Sequence, residues 1–137
     1  MSNLSWAETV RRVHERAAYQ CEYCQTGQRV IGQAMHVEHI NPGGDNDLDN
    51  LCLSCPSCNL SKAQATSAPD PETGAIVPLF NPRQQIWSQH FEWFQAGTLI
   101  QGLTPVGRAT VVRLRMNRVR IVEARKVWVR AGEHPPD

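Results

Sequence analysis

The sequence predicts a small α+β domain. Two short strands and a helix are stapled by four cysteines, with a helix before them and a hairpin and helices after. Three observations carry this. Two C-x2-C pairs, Cys21/Cys24 and Cys55/Cys58, stand 30 residues apart. Short strand-like stretches, broken by Pro and Gly, lie between them. Helix-start signals occur at Ser5 and at Thr104-Pro105. The length of 137 residues suits one domain, read as 1–137, able to bury about two thirds of its surface. A hydrophobic content of 41% excludes low-complexity disorder.

Ser5 and Glu8 form a capping box that opens an amphipathic helix to about Tyr19. Val10, Val13 and Ala17 make its apolar side; Arg11, Arg12 and Glu15 face solvent. The first knuckle follows. Two thiolates converge on a metal from each tight C-x2-C turn, and two knuckles complete a closed, structural zinc site. Five cysteines without a secretory signal argue against a disulfide framework. A redox pair would need only one C-x2-C. Cys52 and Cys55 are spaced C-x2-C as well, so spacing alone leaves the partner of Cys55 open between Cys52 and Cys58.

Between the knuckles, residues 36–40 read as a strand ended by Pro42 and Gly43-Gly44, and Leu51-Cys52-Leu53 as a second strand. The intervening Asp45, Asp47 and Asp49 read as an exposed turn. Pro56 suits the first turn of a helix carrying Cys58, Asn59 and Lys62. Residues 65–82 have the composition of a wrapping loop. Residues 87–94 alternate as a strand, with a hairpin turn at Gly97-Thr98, and His90 among the aromatics reads as structural. A helix from Thr104-Pro105 carries Val106, Ala109, Val112 and Met116 at helical spacing. Asn117 is placed to cap a last helix bearing Ile121, Val122, Val127 and Trp128.

The net charge of +1 hides an asymmetry: residues 104–131 hold seven Arg and Lys126 against Glu123, or +7. No apolar run reaches the roughly 18 residues of a membrane span, and the start lacks a secretory pattern, so a cytoplasmic location is expected.

The array C-x2-C, then His36-Val-Glu-His-Ile-Asn-Pro-Gly-Gly44, then Asn50-Leu51, then Cys55-x2-Cys58-Asn59-x2-Lys62 resembles the HNH endonucleases. The resemblance covers residues 21–62, and within the C-terminal extension, 65–137, the segments Asp70–Gly74, Pro78–Phe80, Trp87–Phe91 and Gly102–Thr110 are similar to small stand-alone bacterial members. It implies a ββα-metal core, with Cys58 and not Cys52 completing the zinc set and Cys52 left as a core residue. It further implies a Mg2+ or Mn2+ ion held by Glu38 and Asn59, with His39 as general base. Histidine titrates near neutrality, and hard oxygen donors suit such an ion. Asn50 would brace the loop behind His39. The chain has Glu38 where Asp is commonest, and Asn59 where His also occurs. His36 and Lys62 are further site candidates; for His36, ligand or phosphate contact and plain strand residue stay open. The implied substrate is DNA, hydrolysed to a 5′-phosphate and 3′-hydroxyl. Arg113, Arg115, Arg118 and Arg120 are the candidates for contacts to its backbone. The alternative is a non-catalytic zinc-dependent DNA-binding or adaptor module.

Overall fold

The computed structural model describes residues 3–136. Helix α1 spans Trp6–Arg16, and the Ser5 hydroxyl accepts the Glu8 backbone N–H as its cap. The Glu8 carboxylate turns outward to Arg11 and Arg12. The helix ends before the expected Tyr19 because Ala18 and Tyr19 adopt left-handed φ of 53° and 59°, which a right-handed helix cannot continue. A single turn, α2 (Gln28–Ile31), lies between the first knuckle and the strands. Four residues are too few to produce a hydrophobic period, so the sequence does not announce it.

Strands β1 (His36–His39) and β2 (Leu51–Ser54) pair antiparallel, with His36 opposite Ser54, Glu38 opposite Cys52 and His39 opposite Leu51. Helix α3 (Pro56–Lys62) starts one residue after β2, with Pro56 in its first turn and Cys55 as its cap. Its last residue reaches back: Lys62 Nζ donates to the Ile40 carbonyl at 3.2 Å. Helix α3 therefore ends against the end of β1.

The stretch expected to be loop contains a hairpin, β3 (Ser67–Pro69) with β4 (Ile76–Pro78). Its Pro and Gly content masks it. The ladder is three residues long and is closed by the Asp70 carboxylate, which accepts from the Glu72 N–H and the Thr73 hydroxyl. The stretch 87–94 divides into a helical turn, α4 (Trp87–His90), and β5 (Phe91–Phe94), which pairs with β6 (Leu99–Gly102). Gly97, at φ 83°, sits in the connecting turn.

Helix α5 (Pro105–Arg113) is capped by Thr104, whose Oγ1 accepts the Gly107 N–H at 3.0 Å. It packs through its small residues: Gly107, Ala109 and Thr110 are buried, whereas Val112 points outward. Of the expected apolar stripe, Ala109 and Met116 are buried and Val106 packs against the core, so only Val112 departs from it. Helix α6 (Val119–Arg130) is preceded by Arg118, not capped by Asn117. The Asn117 amide instead bonds both ways to the backbone of Ile100, accepting at 2.8 Å and donating at 2.7 Å. Ile121 is buried as expected, but Val127 is exposed and Arg125 is fully buried. The Arg125 guanidinium donates to the Met116 and Thr98 carbonyls and stacks over Trp93.

The main core joins Val13, Tyr23, Leu51, Leu53, Phe91 and Ile100 with the buried cysteines. No helix among the described residues is long and apolar enough to cross a membrane.

Candidate metal centre and catalytic strand end

The sulfurs of Cys21, Cys24, Cys55 and Cys58 lie within 4.8 Å of one another, all buried. Cys24 Sγ and Cys55 Sγ are 3.7 Å apart. A tetrahedral zinc with Zn–S bonds of about 2.3 Å requires sulfurs about 3.8 Å apart. The donor set and its spacing therefore fit zinc. Local backbone geometry produces this. The Cys24 N–H points at Cys21 Sγ and the Cys58 N–H at Cys55 Sγ, both at 3.4 Å, so each pair turns its sulfurs the same way. Hydrogen bonds from neighbouring thiols, Cys21 first, pull Cys24 well below the ordinary thiol range, and Thr26 Oγ1 adds to them at 3.1 Å. Burial holds Cys21 well above it. Cys52, which spacing left open, lies outside the cluster. Its sulfur is buried beside the Tyr23 hydroxyl at 3.6 Å and Glu38 Oε2 at 4.0 Å.

The end of β1 places Glu38 and His39 on opposite sides of the strand. Glu38 points inward and is 7% exposed. Its Oε1 lies 3.6 Å from Lys62 Nζ, beyond hydrogen-bond reach, and has no hydrogen-bond partner among the described residues. Burial pushes the Glu38 carboxyl up to about 7, with Lys62 and His39 opposing. The orphaned oxygen marks a place where a further cation would be stabilising.

His39 is partly exposed. Its Nε2 lies 2.6 Å from Asn46 Oδ1. An amide oxygen can only accept, so Nε2 is the donor in this contact, and in the neutral ring Nδ1 is then the nitrogen with the free lone pair. Asn46 was not singled out from the sequence. It sits in a turn of aspartates and asparagines, where an extra Asn carries no distinguishing pattern.

Asn50 closes the loop between the strands. Its Oδ1 accepts the Asn41 N–H at 3.0 Å, while Nδ2 donates to the carbonyls of Asn41 and Asp45. Gly44 is required beside it: a Cβ there would meet Asn50 Nδ2 at 2.6 Å. The chain leaving His39 is thus clamped to the residue that begins the return to β2. Asn59 follows Cys58 on α3 and is half-buried, one helical turn before Lys62. His36 is exposed at the start of β1. Helix α3 thereby links the cysteine cluster, through Cys58, to the Glu38 region, through Lys62.

The four arginines gather around the α5–α6 connection. Arg113 ends α5, with a guanidinium nitrogen 3.4 Å from the Lys62 carbonyl. Arg115, at φ 53°, and Arg118 occupy the connection, and Arg120 lies in the first turn of α6. Arg115, Arg118 and Arg120 line a common surface cavity of about 410 Å3. Two of the four are therefore not on helices, although all four share one region.

Residues 21–64 match the family model described as HNH endonuclease. That match spans both knuckles, both core strands and α3, and associates the segment with nuclease activity in general. Neither the curated proteins nor the solved structures provided a match.

Proposed function

We propose that the protein is a metal-dependent endonuclease hydrolysing DNA phosphodiester bonds, built on a ββα-metal core with a structural zinc. What carries the reading is the pairing of His39 Nε2 with Asn46 Oδ1, which leaves Nδ1 free as a base at the end of a strand. His39 Nδ1 takes the proton of the attacking water. Asn46 holds the imidazole in the required tautomer, and Asn50 fixes the loop that runs from His39 to Asn46. Glu38 and Asn59 would hold the Mg2+ or Mn2+ ion. The orphaned Glu38 oxygen and an amide side chain are the hard donors such an ion accepts. When bound, that ion supplies charge stabilisation at the phosphoryl and leaving oxygens. Lys62 keeps the Glu38 carboxylate compensated and ties α3 to β1.

The test is plasmid nicking in a Mg2+ and Mn2+ series. His39→Ala is expected to lose at least a hundredfold in rate while retaining fold and one zinc per chain. Undiminished nicking would sink the base role. A wild type that shifts plasmid without nicking it would instead establish the zinc-dependent binding module, with which the cysteine cluster is equally compatible.

A further inference from the structure

Beyond His39 the chain leaves β1 and enters the wall of a cleft of about 510 Å3. Ile40, Asn41 and Lys62 form the side next to the candidate base; Phe80, Asn81, Gln84 and Gln85 line it from the segment after β4. That segment lies outside the part of the chain that matches the family. The size falls in the usual range for small-ligand pockets.

The chemistry of the cleft is one-sided. Four carboxamides line it, and no carboxylate does. Three of the four commit their oxygens to the backbone. Asn41 Oδ1 accepts the Gly43 N–H at 3.1 Å, Asn81 Oδ1 the Arg83 N–H at 2.9 Å, and Gln85 Oε1 the Asn81 N–H at 2.8 Å. Those bonds decide which end of each amide is which. They leave three amino groups as donors without hydrogen-bond partners among the described residues. Gln84 is exposed and adds a fourth amide. Behind them stand the buried Leu79 and Phe80.

A ligand here must bring hydrogen-bond acceptors and tolerate an apolar wall. The one cation, Lys62, is 1% exposed and already directed at Glu38 and the Ile40 carbonyl. Neutral donors on an apolar wall suit the acceptor edge of a nucleobase better than a phosphate, which calls for a free guanidinium or ammonium.

We propose that this cleft seats the nucleoside adjoining the cleaved phosphodiester and reads its base through these amide donors, giving a base preference at one flanking position. The register of the strand rests on His39 being the base; the donor chemistry of the cleft does not.

The experiment uses zinc-loaded full-length protein and short fluorescent oligonucleotides varied base by base. Binding is measured by anisotropy with Ca2+ in place of Mg2+, and cleavage positions are then mapped with Mg2+ or Mn2+. Two variants are compared with wild type: Gln84→Ala removes one donor that holds no loop bond, and Thr66→Phe fills the cleft, which Thr66 also lines. Wild type is expected to discriminate among bases at one position by about tenfold in Kd, the scale of one good amide–base contact. Both variants are expected to lose most of that discrimination. Equal binding of all four bases by wild type, or full discrimination by both variants, overturns the proposal. Cleavage without cleft-dependent preference sinks the cleft and spares the nuclease. Cleft-dependent preference without cleavage does the reverse.

Discussion

His39 depends for its orientation on residues that follow it in the loop. The 2.6 Å contact from Asn46 is a single hydrogen bond at a partly exposed site, so its loss should disturb aim and not folding. Asn46→Ala is expected to lower kcat roughly tenfold with KM little changed, the pattern of a misaligned group rather than lost binding. Steady-state nicking kinetics check this, and an unchanged kcat would remove Asn46 from the mechanism. A second residue-level prediction concerns Asp70, whose buried carboxylate accepts two bonds from Arg108, at 2.8 and 2.9 Å. That guanidinium holds the Asp70 carboxyl well below its ordinary value of 3.8. A depressed carboxylate contributes stability that is present above the unfolded-state pKa and is lost as pH falls through the folded one. Asp70→Asn should therefore be less stable than wild type at neutral pH. The gap should narrow as pH drops below about 4. Urea unfolding at several pH values measures it, and a constant gap would refute the ion-pair account. Neither Asn46 nor the Asp70–Arg108 pair was legible in the sequence. Each is a contact between ordinary loop or surface residue types whose partner is settled only by folding. The four-cysteine cluster was legible because metal ligation restricts both residue type and spacing; Glu38, His39 and Asn50 stood out only through their order in the motif that the sequence resembles.

The elements that could be read in advance are those announced by local chemistry. Ser5 and Thr104 place the starts of α1 and α5, and Pro56 places that of α3, because caps and first-turn prolines act within one helical turn. The misread elements were set by distant contacts. The hairpin β3–β4 lies against α5, and no local alternation reveals it. On α5 only Val112 was misread, since the buried side also includes Gly107 and Thr110, where close approach matters more than hydrophobicity. Gly107 shows how tight the crossing is: a Cβ at that position would stand 2.0 Å from the His90 carbonyl oxygen. Ala is otherwise the better helix former by about 1 kcal/mol. Gly107→Ala is nonetheless expected to destabilise the protein by at least 1–3 kcal/mol, since backbone and not a flexible side chain must yield. Chemical denaturation of zinc-loaded protein tests this. A stabilised variant would mean that α5 can lift from the hairpin freely.

Across the whole molecule, the near-neutral charge separates into a basic C-terminal region and an acidic remainder, and the fold decides which charges face a partner. Of the +7 carried by residues 104–131, Arg125 is buried, Arg108 is paired with Asp70, and Lys126 lies beside Glu123. Arg113, Arg115, Arg118 and Arg120 remain around the α5–α6 connection and Arg130 at the end of α6, and none of the five forms an ion pair among the described residues. At the other end, Arg11 and Arg12 are drawn to Glu8 and Glu15 on their own helix. Each phosphate neutralised by an arginine releases counterions and adds about 0.9 to the slope of log K against log salt on duplex DNA. The double variant Arg115→Ala, Arg120→Ala is therefore expected to lower that slope by about 1.8. Arg12→Ala should leave it unchanged. Gln84→Ala should leave it unchanged too, because a neutral amide reading a base displaces no counterion. Anisotropy titrations from low to moderate salt separate these terms. If Arg12→Ala reduced the slope as much as the double variant, DNA would be lying along α1, and the basic connection would not be its seat. The division matters for a chain this short. Under the proposed function, charge at the α5–α6 connection would supply affinity without sequence, and the amide-lined cleft beside His39 would supply the base preference.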